Sequence, residues 1–162
     1  MTPPNNILDS KYVLITGASG GLGRALAMEY AKKGSNLFLT GRNLQKLSAL
    51  REEIQSFSNV QVEFYRCDLS NEEEICKMIE NIKLFDHYVD ILVNCAGVFP
   101  IQSLSEMTVE EYKQCMNINL TAPFILMKEF SKEMIANQWG QIINIASSSA
   151  YGGGAKTSAY CA

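Results

Sequence analysis

Tyr12-Val13-Leu14-Ile15-Thr16-Gly17-Ala18-Ser19-Gly20-Gly21-Leu22-Gly23-Arg24 is an apolar run that enters a glycine-rich turn and leaves it in a helical pattern. Each glycine in the Gly-x-x-x-Gly-x-Gly spacing has a physical task. Gly17 lets the chain leave the strand in a backbone conformation that a β-carbon resists. Gly21 leaves room for a pyrophosphate to approach the backbone, and Gly23 lets the new helix pack close on the strand. The helix start then presents free N–H groups and the positive end of its dipole to phosphate oxygens. The order strand, turn, helix supports a dinucleotide site. No Gly-Lys-Ser/Thr ends the turn, so it is not a P-loop.

Working outward, strand-like and helix-like runs alternate. Tyr12–Thr16 is predicted as the first strand and 21–33 as a helix closed by Gly34. Residues 37–40 read as a second strand and 43–57 as a helix with Leu44, Leu47, Leu50 and Ile54 on one face. The alternation Val60, Val62, Phe64 against Gln61 and Glu63 suits a third strand at a sheet edge. Ser70 and Glu73 have the spacing of a capping box, opening a helix whose face is Ile75, Met78, Ile79 and Ile82. A fourth strand is read over 91–93. Thr108 with Glu111 opens a long helical region reaching about Ala136, apolar almost all round between Leu120 and Phe130. A helix of that kind is buried on more than one side, one toward the sheet and the other toward a partner subunit. A fifth strand is read over 141–146. This alternation implies an α/β domain with a parallel sheet covered on both faces. Ligands bind such sheets beyond the carboxyl ends of the strands.

Composition sets limits. The 162 residues are one domain's worth, and 47% hydrophobic with 19% charged residues suits a globular protein with a core. The net charge of −3 offers no polybasic surface for nucleic acid. The five cysteines are odd in number and without a Cys-x-x-Cys pair, which argues against a disulfide framework or a metal site and for a reducing, cytoplasmic setting. No run is long enough for a membrane span. Met1–Ser10 reads as a flexible lead-in.

Several stretches together resemble the short-chain dehydrogenase/reductase family, from about Lys11 to Ala162. Thr16-Gly17-Ala18-Ser19-Gly20-Gly21-Leu22-Gly23 is similar to its cofactor motif Thr-Gly-x-x-x-Gly-x-Gly. Asn94-Cys95-Ala96-Gly97 resembles its Asn-Asn-Ala-Gly, with Cys95 in place of the second Asn. Asn117-Ile118-Asn119-Leu120 resembles the segment holding a catalytic Asn, and Ile143-Asn144-Ile145-Ala146-Ser147 the strand ending in a catalytic Ser. Tyr160 stands thirteen residues after Ser147, where the family's Tyr-x-x-x-Lys begins. The resemblance implies a Rossmann-type, doubly wound parallel sheet and hydride transfer between a nicotinamide cofactor and a carbonyl or secondary alcohol.

It also implies roles. Tyr160 would be the general acid toward the substrate oxygen, Ser147 a hydrogen-bond donor to that oxygen, and Asn119 the holder of a proton-relay water. Gly17, Ser19, Gly21, Leu22, Gly23, Arg42, Asp68, Leu69, Asn94, Ala96 and Gly97 would bind the cofactor. Asp68 would contact the adenine, although a helix-capping aspartate is the plainer alternative. No acid follows the second strand in Thr40-Gly41-Arg42-Asn43, and an arginine there can receive the 2′-phosphate, so NADP is favoured over NAD. The complete protein is expected to be a homo-oligomer acting on a small molecule. The family's lysine would fall four positions after Tyr160, two beyond the last residue given. The chain therefore resembles the first two-thirds of a reductase. Alone it is expected to be poorly soluble or partly molten, with weak NADPH binding and no turnover. A non-catalytic dinucleotide-binding module or an inactive fragment is the alternative.

Overall fold

The structure, a computed structural model, describes residues 6–162; Met1–Asn5 of the expected lead-in lie outside the described residues. Residues 6–10 form a turn docked on the chain: Ser10 N–H donates to Gly34 O, and Ser35 Oγ donates to Leu8 O.

Five parallel strands, β1 (Tyr12–Thr16), β2 (Asn36–Gly41), β3 (Val62–Arg66), β4 (Ile91–Asn94) and β5 (Gln141–Asn144), lie in the order β3-β2-β1-β4-β5. The chain thus builds outward from β1 to β3, returns to the other side of β1 with β4, and adds β5. β3 is an edge strand, as its alternation predicted. β5 is the other edge and ends at Asn144, short of the expected Ala146, although Ile145 N–H still bonds Asn94 O.

β1 and β4 are buried along their whole length. Their runs are apolar because both faces are covered. On one face Val13, Ile15, Leu37 and Leu39 pack with Ala27 and Ala31 of α1 (Gly21–Lys32) and Leu47, Leu50 and Ile54 of α2 (Leu44–Gln55). On the other, Tyr12, Leu14, Phe38 and Leu92 pack with Ile75, Met78, Ile79 and Ile82 of α3 (Glu72–Lys83). Leu126, Phe130 and Met134 of α5 (Ala122–Ala136) complete that face. Leu44, placed by its spacing on the apolar face of α2, is instead half exposed at the helix start.

The helix ends show which local signals won. Gly34, at φ +81°, closes α1: Gly34 N–H donates to Ala31 O and Ser35 N–H to Tyr30 O. That bond pair is a Schellman cap. α3 is capped by Asn71, whose side chain accepts from Glu73 and Glu74 N–H. The expected Ser70–Glu73 box is therefore not formed and the cap falls one residue later, because the Ser70 hydroxyl is committed to Asp68. The Thr108–Glu111 box is formed and opens α4 (Val109–Met116).

The long helix expected after Thr108 is interrupted. Asn117–Thr121 is a π-helical turn between α4 and α5. Leu120 and Phe124, expected to be buried, are each 58% exposed. Two short helices follow β5: α6 (Ser149–Gly152) and α7 (Ser158–Cys161).

Candidate functional site

Thr16 ends β1 at the point where strand order reverses, between β2 and β4. Its Oγ1 accepts from the N–H groups of Cys95 and Ala96, both at 3.0 Å, and donates to Val93 O at 3.4 Å. One hydroxyl so pins the turn leaving β4 against the turn leaving β1. Gly17 follows at φ +68°, and a Cβ there would lie 2.8 Å from Ala96 Cα. A Cβ on Gly23 would fall against the Gly17 carbonyl, 2.8 Å from its carbon. These two glycines are required by backbone touching backbone, one by φ as well. Gly21 has no atom within 4 Å of a Cβ, so its openness serves no packing need.

A cleft of about 360 Å³ opens over these turns, at the carboxyl ends of the strands. Gly17, Ser19, Gly21, Leu22 and Gly23 line it along α1; Arg42, Asp68 and Leu69 line it after β2 and β3; Ala96 and Gly97 line it after β4. The topology thus gathers ten of the eleven sequence-predicted cofactor residues. The eleventh, Asn94, does not line the cleft. It is 4% exposed at the end of β4, where its Nδ2 donates to Asn144 Oδ1 at 2.8 Å.

The first turn of α1 lacks the side-chain cap that α2, α3 and α4 have. Asn43, Asn71 and Thr108 cap α2, α3 and α4, while Gly20 caps α1 with no side chain. No acidic residue stands in that turn. Arg24 N–H is the first to bond back, to Gly20 O, so the N–H groups of Gly21, Leu22 and Gly23 have no intrahelical acceptor. They face the cleft beside the positive end of the helix dipole, an arrangement suited to an anion.

Charge at the far end is divided. The Asp68 carboxylate accepts from Ser70 N–H at 3.0 Å and Ser70 Oγ at 2.8 Å. The backbone bond first, then the hydroxyl and the nearby Arg42 and Arg66, hold its pKa below the usual carboxylate value. Arg66 is paired with Glu74 at 2.7 Å, and Glu74 also accepts from Asp68 N–H. Arg42 is exposed and has no salt bridge among the described residues. Ser19 sits next to it: a Cβ on Gly41 would lie 2.7 Å from Ser19 Oγ. Among the described residues the cleft therefore offers the unpaired Arg42 cation, with the Ser19 hydroxyl against the Gly41 backbone that precedes it.

Sequence reasoning missed Thr16 as a clamp and missed Thr40, Cys67, Val98 and Ile118 in the lining, which also takes in Gly20, Gly41 and Cys95 from the stretches just after the strands. Thr16 and Thr40 are paired in register near the ends of β1 and β2, so the rule that ligands lie at strand ends could have found them. Both thiols are neutral. Burial pushes Cys67 up to about 12 and raises Cys95 as well.

The three catalytic candidates lie outside this lining. Asn119 is nearest: its neighbour Ile118 lines the cleft, and its Oδ1 would be 3.4 Å from a Cβ on Gly97. It sits in the π turn, a distortion that often marks functional sites. Its Nδ2 donates to Val98 O and its Oδ1 accepts from Val98 N–H, both at 2.9 Å. Tyr160, in α7, packs its ring edge-on with Phe99, centroids 4.5 Å apart. Ser147 Oγ is engaged locally, donating to Ser149 Oγ and accepting from Ser149 N–H at the start of α6. No hydrogen bond joins Asn119, Ser147 and Tyr160 to one another among the described residues.

The family model described as short chain dehydrogenase matches residues 11–162. The chain belongs to the short chain dehydrogenase family. Among its relatives, a 3-oxoacyl-[acyl-carrier-protein] reductase FabG of Rickettsia bellii is 37% identical over 155 residues, covering 96% of this chain and 61% of that protein. The chain thus spans about three-fifths of the length of the curated relatives it matches. A crystal structure of a metagenomic short-chain oxidoreductase in complex with NADP superposes with a TM-score of 0.90 at 34% identity, over 95% of this chain and 69% of that one. A structure of NAD+-bound xylitol dehydrogenase superposes with a TM-score of 0.87 at 26% identity, over 96% and 60%. Among the described residues, no helix is long and apolar enough to cross a membrane.

Proposed function

We propose that the cleft binds NADP(H), and that the protein moves hydride between this cofactor and a carbonyl or secondary alcohol. The uncapped first turn of α1 carries the proposal. Three N–H groups without intrahelical acceptors open on a cleft whose Gly21 wall is empty, which fits a pyrophosphate. Arg42, free of an ion pair, and Ser19 beside it fit a 2′-phosphate. The relative bound to NADP supports that choice, and the one bound to NAD+ makes Arg42 the residue to test.

Bound NADPH would supply the hydride. Tyr160 gives a proton to the substrate oxygen, Ser147 donates a hydrogen bond to it, and Asn119 orients the water that returns the proton. For Ser147 this requires its hydroxyl to exchange Ser149 for the substrate. The name of the Rickettsia relative supports a 3-oxoacyl group as one carbonyl class to try. The exposed Leu120 and Phe124 support pairing with a second copy.

The test is fluorescence titration with NADPH and NADH, then NADPH oxidation with a panel of 3-oxoacyl esters and simple ketones, for a version extended through the family's lysine, with and without Tyr160→Phe. Binding with turnover lost in Tyr160→Phe is expected. Binding without turnover by the unsubstituted extended version would favour the non-catalytic module, a reading to which Ser147's engagement with Ser149 lends support. Absence of nucleotide binding would remove both.

A further inference from the structure

Asn119 and Tyr160 belong to segments about forty residues apart and share no hydrogen bond, yet two independent chains of contacts run between them. The first passes through the backbone. Asn119 takes both the N–H and the C=O of Val98, and the next residue, Phe99, sets its ring against Tyr160 at 72°. The second passes through a thiol. Asn119 Nδ2 donates to Cys115 Sγ at 3.4 Å, and Cys115 S–H donates to Ala159 O at 3.6 Å. Ala159 immediately precedes Tyr160 in α7. The two paths close a ring around the space between the candidates.

We propose that Cys115 and Phe99 are positioning residues that hold Tyr160 in a fixed relation to Asn119. The proposal rests on the reading of Tyr160 as the proton donor. The chemistry of position 115 is specific. Cys115 is 1% exposed, and its burial raises the thiol pKa, so it remains an S–H donor while its sulfur accepts. Alanine or valine could do neither, whereas serine can do both. Phe99 is a different case: it is 51% exposed, so its ring contributes little core burial, and its contact with Tyr160 is the feature left to explain. A third tie draws the same loop toward α7, Gln102 N–H to Lys156 O at 2.7 Å.

The experiment is 19F NMR on the 162-residue chain carrying 3-fluorotyrosine, which places a probe at each of its seven tyrosines. Tyr160→Phe identifies the resonance of position 160. Cys115→Ala, Phe99→Leu and Asn119→Ala are each expected to shift and broaden that line, the last without touching Tyr160. Cys115→Ser should return it toward the wild-type position, and the buried Tyr12 should report an unchanged fold throughout. A Tyr160 line that stays put in both Phe99→Leu and Asn119→Ala would overturn the proposal. So would failure of serine to restore it where alanine disturbs it. Should Cys115→Ala fail to fold, Phe99→Leu removes only half-exposed surface and still decides. None of these readouts needs turnover, so a version extended through the family's lysine that stays inactive with the coupling intact would refute the enzyme reading and leave the coupling standing.

Discussion

Gly21→Ala should make the protein more stable and worse at binding NADPH. Gly21 is the first residue of α1 and a Cβ there meets nothing within 4 Å. Alanine is favoured over glycine in a helix by about 1 kcal/mol, somewhat less at its first position. For a chain of this size that is a rise in Tm of about 2–4 °C. The same methyl would stand where a pyrophosphate must reach the free N–H groups. Losing one hydrogen bond to a charged group costs about 1.5–3 kcal/mol, and hence about 10- to 100-fold in Kd. Gly23→Ala is the contrast. Its Cβ would press on Gly17 carbonyl atoms and lie 2.9 Å from Ala18 Cα, all backbone. Overpacking of about 1–3 kcal/mol outweighs or cancels the helix gain, so that variant should melt at or below the wild-type temperature. Thermal melts and NADPH titrations of the two variants side by side make the assay. A Gly21→Ala protein that is destabilised, or that binds NADPH as the wild type does, would refute the argument that this opening exists for a ligand.

Arg42→Ala should lose about tenfold in affinity for NADPH, some 1.4 kcal/mol, with NADH nearly unaffected; equal losses for both would remove Arg42 from the 2′-phosphate. Thr16→Val leaves the Cys95 and Ala96 N–H groups without their acceptor. Denaturant melts should show a loss of about 1–3 kcal/mol that Thr16→Ser largely avoids. Cys67 gives an alkaline limb. Its folded pKa, pushed up to about 12, exceeds the unfolded value near 9, so its stabilising effect is complete below pH 9 and disappears as pH rises toward 12. By pH 10.5 the wild type should have lost about 2 kcal/mol that Cys67→Ala does not lose, a difference visible in urea midpoints at pH 8 and 10.5.

What the sequence disclosed follows from where the physics is local. β1 and β4 announce themselves because strands buried on both faces must be apolar throughout, and the glycine turn because backbone contact tolerates nothing larger. The start of α3 was misplaced by one residue because Ser70-Glu73 and Asn71-Glu74 carry the same spacing. Only the Asp68 contacts, with Ser70 and with Glu74, decide between them. Asn94 could not be placed from its own neighbourhood, since its partner Asn144 lies fifty residues on. The exposure of Leu120 and Phe124 was hidden for a different reason. An apolar helix looks the same whether its second face is covered by the same chain or left open, and the π turn before it changes which side chains point inward.

That π turn sets a phase. Each residue advances an α-helix by about 100°, so the extra residue accommodated at Asn117–Thr121 rotates everything after it by roughly that angle. Before the turn Cys115 bonds Ala159 O, within it Ile118 reaches both the cleft and the core, and after it Leu126, Phe130 and Met134 pack on the sheet. The fixed quantity is the number of residues between Cys115 and Leu126, since both ends are buried. Deleting any one of them would leave a helix of unbroken α geometry that must choose between its contacts to the cleft and its contacts to the core.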